Sequence, residues 1–95
     1  MTPEEEVIRS ERARQLLEEP LLKEAFSLME SGLLNGIQVS ALKDTELREK
    51  CCQMLIAVRE VKQHLQSTME TGKFAVAQIE ERTRWQRVKN VVGLN

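Results

Sequence analysis

Between residues 47 and 79 the apolar and small positions keep a 3-4 rhythm. Leu47, Cys51, Met54, Val58, Val61, Leu65, Thr68, Gly72, Ala75 and Ile79 follow one another at alternating steps of four and three. This alternation averages about 3.5 residues, the repeat that keeps one stripe of a long helix turned toward a partner helix. Most other positions are polar, among them Glu49, Lys50, Gln53, Arg59, Glu60, Gln63, Gln66 and Glu70. A helix with one apolar stripe cannot bury itself, so the pattern predicts packing against other helices.

Upstream, Thr2 can cap a helix, Pro3 suits its first turn and Glu5 completes a T-x-x-E capping box. Three glutamates in that turn match the positive end of the helix dipole. Pro20 removes a backbone donor and crowds the preceding turn, which predicts a kink or a restart. From there the pattern sharpens: Leu21, Leu22, Ala25, Phe26, Leu28, Met29 and Leu33 share an arc of about 160° on a 100° wheel. The dipeptide Asn35-Gly36 reads as a left-handed helix end.

The organisation predicted is one helical domain over residues 1–95. Its first arm covers 3–34 with a break near 20, a connector covers 35–43, and a long helix covers 44–83. A basic extension follows over 84–95. Asp44 is the expected N-cap of the long helix, and Gly72 is its weak point, costing about 1 kcal/mol against alanine. The notch formed by Thr68, Gly72 and Ala75 leaves room for close approach of a helix or of a ring such as Phe26. A short connector makes the arms antiparallel neighbours. The fold class is therefore all-α, an antiparallel helical hairpin with a kinked first arm and a long coiled-coil-like second helix. At about 1.5 Å per residue the first arm reaches only to about residue 76 of the second, so the basic end is expected to project.

Composition agrees with a helical assembly protein. Aromatics are 3%, charged residues 31%, and tyrosine is absent. The net charge of −1 conceals an asymmetry: residues 1–50 carry eleven acids and seven bases (−4), residues 51–95 four acids and seven bases (+3). Such a chain favours antiparallel or staggered self-association. No secretory or transit signal is visible at the acidic start, and nowhere do 18 apolar residues run together, so no membrane span is expected. Cys51 and Cys52 are adjacent, too close for an ordinary disulfide. They read as reduced thiols of a cytoplasmic protein, with Cys51 in the seam.

Catalytic chemistry finds little support. The one histidine, His64, stands twelve and thirteen residues from Cys52 and Cys51, roughly 18–20 Å along a helix, so no Cys–His couple forms within the chain. Neither C-x-x-C nor H-x-x-x-H occurs, so no metal site and no cofactor is expected. Gly72-Lys73 lacks the upstream glycine and the following Ser or Thr of a phosphate loop. The stretch 82–89 is more suggestive. Arg82, Arg84, Arg87 and Lys89 flank Trp85 without an acid among them. Nucleic-acid phosphates, an acidic protein surface, an anionic membrane surface, or a neighbouring subunit and the acidic first helix could each receive them.

Three segments carry a resemblance. Residues 12–26 follow R-A-x-x-L-L-x-x-P-x-x-x-x-A-F, residues 44–49 follow D-T-x-x-R-E, and residues 70–75 follow E-x-G-K-x-A. The chain thereby resembles small phage or prophage proteins encoded near virion or DNA-packaging genes. The resemblance implies a phage context, the host cytoplasm or the virion as location, and another phage protein as partner. It transfers no active site. The resulting expectation is a non-enzymatic homo-oligomer acting in virion assembly or DNA packaging. Its seam would be Leu47, Cys51, Met54, Val58, Val61, Leu65 and Ile79, and its partner contact Arg82, Arg84, Trp85, Arg87 and Lys89. The alternative is a small DNA-binding packaging or regulatory protein using the same basic segment.

Overall fold

A computed structural model of the protein describes residues 1–93. Three helices, α1 (Pro3–Glu18), α2 (Pro20–Val39) and α3 (Thr45–Val91), hold 16, 20 and 47 of them, and no strand occurs among the described residues. α1 and α2 run end to end along α3, making the antiparallel hairpin that the pattern predicts, with extents of 76 × 25 × 17 Å.

Local chemistry explains each boundary. The Thr2 hydroxyl accepts from the Glu5 backbone N–H at 3.2 Å, and Pro3 opens α1. At the break, Glu19 leaves the helical region (φ −66°, ψ 121°), as a residue before proline prefers to do. Its carboxylate then accepts from the Leu22 N–H at 2.7 Å, so Glu19 caps α2 while Pro20 opens it. Asp44 caps α3 through the Leu47 N–H at 3.2 Å. Past Val91, Gly93 takes φ +73°, the left-handed conformation that closes helices and that glycine adopts without strain.

Two boundaries differ from the sequence expectation. Asn35-Gly36 does not end the first arm; α2 continues to Val39, and the connector shrinks to residues 40–44. Gly36 is needed for a close approach instead, since a Cβ there would stand 2.9 Å from the Cys51 Sγ. The long helix also runs on from the expected end at Thr83 to Val91. No glycine or proline occurs between Thr83 and Gly93, so nothing in the basic run stops it.

The core is thin. Its buried apolar residues are Ala13, Cys51, Leu55, Val58 and Ala75, and no large side chain is fully buried among the described residues. α1 approaches α3 closely at Gly72, where a Cβ would sit 2.0 Å from the Ser10 Oγ and 2.1 Å from the Ser10 Cβ. The notch at residues 68–75 therefore accepts a helix, as expected, and the residue that fills it is Ser10 rather than Phe26. Ser10 turns its hydroxyl back onto its own helix, donating to the Val7 carbonyl at 2.8 Å.

Candidate interaction surfaces

Which face of α3 looks inward depends on a choice between two registers. Cys51, Val58, Leu65, Gly72 and Ile79, spaced by seven, belong to both. Residues 54, 61, 68 and 75 flank them on one side, and 55, 62, 69 and 76 on the other. Opposite α2 the chain uses the second flank: Leu55 is buried and Lys62 half-buried, while Met54 and Val61 are exposed. Opposite α1 it crosses to the first flank: Ala75 is buried and Val76 exposed. The break at Glu19–Pro20 permits this, because α1 and α2 can approach α3 from slightly different directions. Leu47 is exposed, and Leu65 and Ile79 are half-buried. Of the seven expected seam residues, Cys51, Val58, Leu65 and Ile79 face the chain's own first arm, whereas Leu47, Met54 and Val61 are left outside.

The inward lysine has two partners. Lys62 Nζ lies 3.0 Å from the Glu30 carboxylate and 5.9 Å from the centre of the Phe26 ring. Sequence patterning had marked neither Lys62 nor Glu30, since a charged residue inside an apolar stripe carries no periodic signal. Each interaction contributes up to about 1 kcal/mol in so open a setting.

The residues left outside line up as stripes along α2 and α3. Leu21 and Leu28 on α2 are seven residues apart, as are Leu47, Met54 and Val61 on α3. Seven residues return a helix to within about 20° of the same direction, so each set is one stripe. The stripes meet at an apolar groove lined by Leu28, Met29, Gly32, Leu33 and Met54. Leu21 is 70% exposed, Leu28 64%, Met54 57% and Val61 53%. With Met29 and Leu47 they expose on the order of 600 Å² of apolar surface, at the upper end of what a lone domain shows. The 160° arc of residues 21–33 is thus split: Leu22, Phe26 and Leu33 turn toward α3, and Leu21, Leu28 and Met29 turn away.

Toward the open end the same side of the hairpin becomes polar, with Arg9, Arg12, Leu16 and His64 along the α1–α3 groove. Here the hairpin is closed by an ion pair between Arg82 and Glu4, whose carboxyl is held below its usual range chiefly by the guanidinium's hydrogen bond. Arg82 therefore does not project; it ties α3 back to α1. The projection begins after it rather than at residue 76. Arg84, Trp85, Arg87 and Lys89 all lie exposed on the overhanging helix, Trp85 at 59%, and none of the three bases forms an ion pair among the described residues.

Cys51 is buried and Cys52 exposed, both as free thiols, and His64 is exposed. Among the described residues no three His, Cys, Asp or Glu side chains converge as a metal site would require, and no helix is long and apolar enough to cross a membrane. Set against known protein families, curated proteins and solved structures, the chain matches none of them.

Proposed function

We propose that the chain is a non-enzymatic, self-associating helical hairpin whose overhanging basic helix is presented to a protein partner. The observation that carries this reading is the exposed apolar face of Leu21, Leu28, Met29, Leu47, Met54 and Val61 over a core with no fully buried large side chain among the described residues. A hairpin so thinly packed gains stability by covering that face with another helix pair, as bundles do. The setting in phage assembly or DNA packaging, in host cytoplasm or virion, rests on the resemblance of residues 12–26, 44–49 and 70–75. The non-enzymatic reading rests on the dispersal of Cys51, Cys52 and His64 along one helix.

The test separates in-chain from between-chain packing. Met54→Glu places a charge on the exposed face and should halve the solution mass while leaving helix content unchanged. Val58→Asp places one in the core and should lower helix content itself, because an unpaired buried carboxylate costs several kcal/mol. A wild-type mass equal to the 10.9 kDa single chain at micromolar concentration would refute self-association. DNA binding is the second reading, favoured by the three unpaired bases beside Trp85. Three phosphate contacts give a log–log salt slope near −2.7, at about −0.9 each. A slope of that size would move the conclusion to nucleic acid.

A further inference from the structure

The hairpin's exposed face is not uniform along its length, and this decides how a second copy can lie on it. The apolar stripes occupy the half nearest the connector, where α2 packs on α3. The half toward the open end carries Arg9, Arg12 and His64 on the same side, His64 next to Val61, with Glu6 beside Arg9. Resting on the self-association proposed above, we infer that two copies pair antiparallel through the connector halves alone, about a two-fold axis near Met54 and Leu28.

Area and charge both point to this arrangement. The stripe exposes on the order of 600 Å², the low end of what each member of a stable pair contributes. The apolar half alone thus reaches the size of a small stable interface. A parallel pairing would superpose the open halves as well, bringing Arg9 and Arg12 of each copy, offset only by Glu6, into one layer. It would also set both overhanging helices side by side, with Arg84, Arg87 and Lys89 doubled within reach of one another's fields, which extend about 8 Å in physiological salt. In the antiparallel pairing the overhangs lie at opposite ends, and Lys50 of one copy comes within about a helical turn of Glu60 of the other.

The product is a rod with a basic, tryptophan-bearing helix at each end. Overlap of the connector halves covers about 24 residues, or roughly 36 Å at 1.5 Å per residue. Two hairpins of 76 Å so overlapped span about 115 Å. Residues at position 86 of the two chains stand roughly 95 Å apart by the same rise. Such a rod can bridge two acidic partners, or two points on one, and bind far more tightly through both ends than through either.

The test is a distance. Spin labels at Gln86→Cys, in a full chain carrying Cys51→Ala and Cys52→Ser, should report roughly 95 Å in the dimer by pulsed electron resonance. Small-angle scattering of the unaltered chain supplies the same answer without substitution, with a longest dimension near 115 Å against about 80 Å for a parallel pair. A dimeric mass with labels under about 35 Å apart, or with the shorter dimension, overturns the antiparallel arrangement and leaves self-association standing. A single-chain mass overturns both.

Discussion

Alanine in place of Gly72 sets two physical effects against each other, and the sign of the result reports how closely α1 approaches α3. In an exposed helix interior the substitution stabilises by about 0.5–1 kcal/mol, because glycine loses more backbone freedom on folding. Here the new methyl would stand 2.0 Å from the Ser10 Oγ and 2.1 Å from the Ser10 Cβ, with the Glu6 carbonyl oxygen at 3.6 Å. The hydroxyl could rotate away, but the Ser10 Cβ is fixed to its backbone, so the helices must part. Forcing a methylene into a packed contact costs about 1–3 kcal/mol, and with the Ser10 Cβ this close the upper part of that range applies, which leaves a net destabilisation of up to about 2.5 kcal/mol. For a domain of this size each kcal/mol lost is a fall in Tm of roughly 4–8 °C. Ser10→Gly removes both clashing atoms, so the double variant should regain most of the loss despite its new glycine. The assay is a double-mutant cycle by thermal or urea unfolding at one fixed protein concentration, because self-association adds to apparent stability. Gly72→Ala at or above wild-type stability, with no coupling to Ser10→Gly, would refute the close crossing.

Other outcomes follow from the same geometry. Reversing Arg84, Arg87 and Lys89 to Glu should change stability by less than about 0.5 kcal/mol, since these exposed groups lack partners in the described chain, while partner capture is lost; a thermal melt beside a pull-down reads both. Arg82→Ala should return the Glu4 carboxyl to its ordinary range in a carbon-detected NMR titration. Because the folded pKa of Glu4 is depressed, the stability it lends is present above the ordinary carboxylate pKa and is lost as pH falls through the folded value. Glu19→Ala removes the cap of α2 and should cost about 0.5–2 kcal/mol in urea unfolding, whereas Glu18→Ala, whose pair with Arg14 at 2.6 Å is exposed, should cost far less.

Much of the architecture is legible in the sequence because it depends on signals confined to a few neighbouring residues. Thr2, Pro20 and Asp44 mark helix starts, and the seven-residue spacing of Cys51, Val58, Leu65, Gly72 and Ile79 marks the side of α3 that faces inward. The choice between the flanking registers is not legible. Leu55 and Met54 are both apolar and adjacent, and what decides between them is the direction from which α2 arrives, a property of the whole hairpin. Asn35-Gly36 misleads for a related reason: glycine is used alike for turning the chain and for admitting a neighbour, and only the neighbour, Cys51, shows which applies. Trp85 and its basic companions are visible as a candidate contact site, but the assignment of Arg82 to Glu4 required knowing the lengths of both arms to within a turn.

The interruption at Glu19–Pro20 falls in one arm only, and that has a kinetic consequence. Contacts across the hairpin are nested, from Gly36 with Cys51, fifteen residues apart, to Glu4 with Arg82, seventy-eight apart. Loop closure costs least near the connector, so α2 and the first half of α3 should assemble first. A continuous helix would carry that order smoothly outward. The gap instead lets α1 detach as a separate cooperative unit, taking with it the packing of Ser10 on Gly72 and the Arg82 tie. Amide exchange in α1 should then be faster than in α2 by a common factor throughout the helix, and the second half of α3 would periodically stand bare along its inner side.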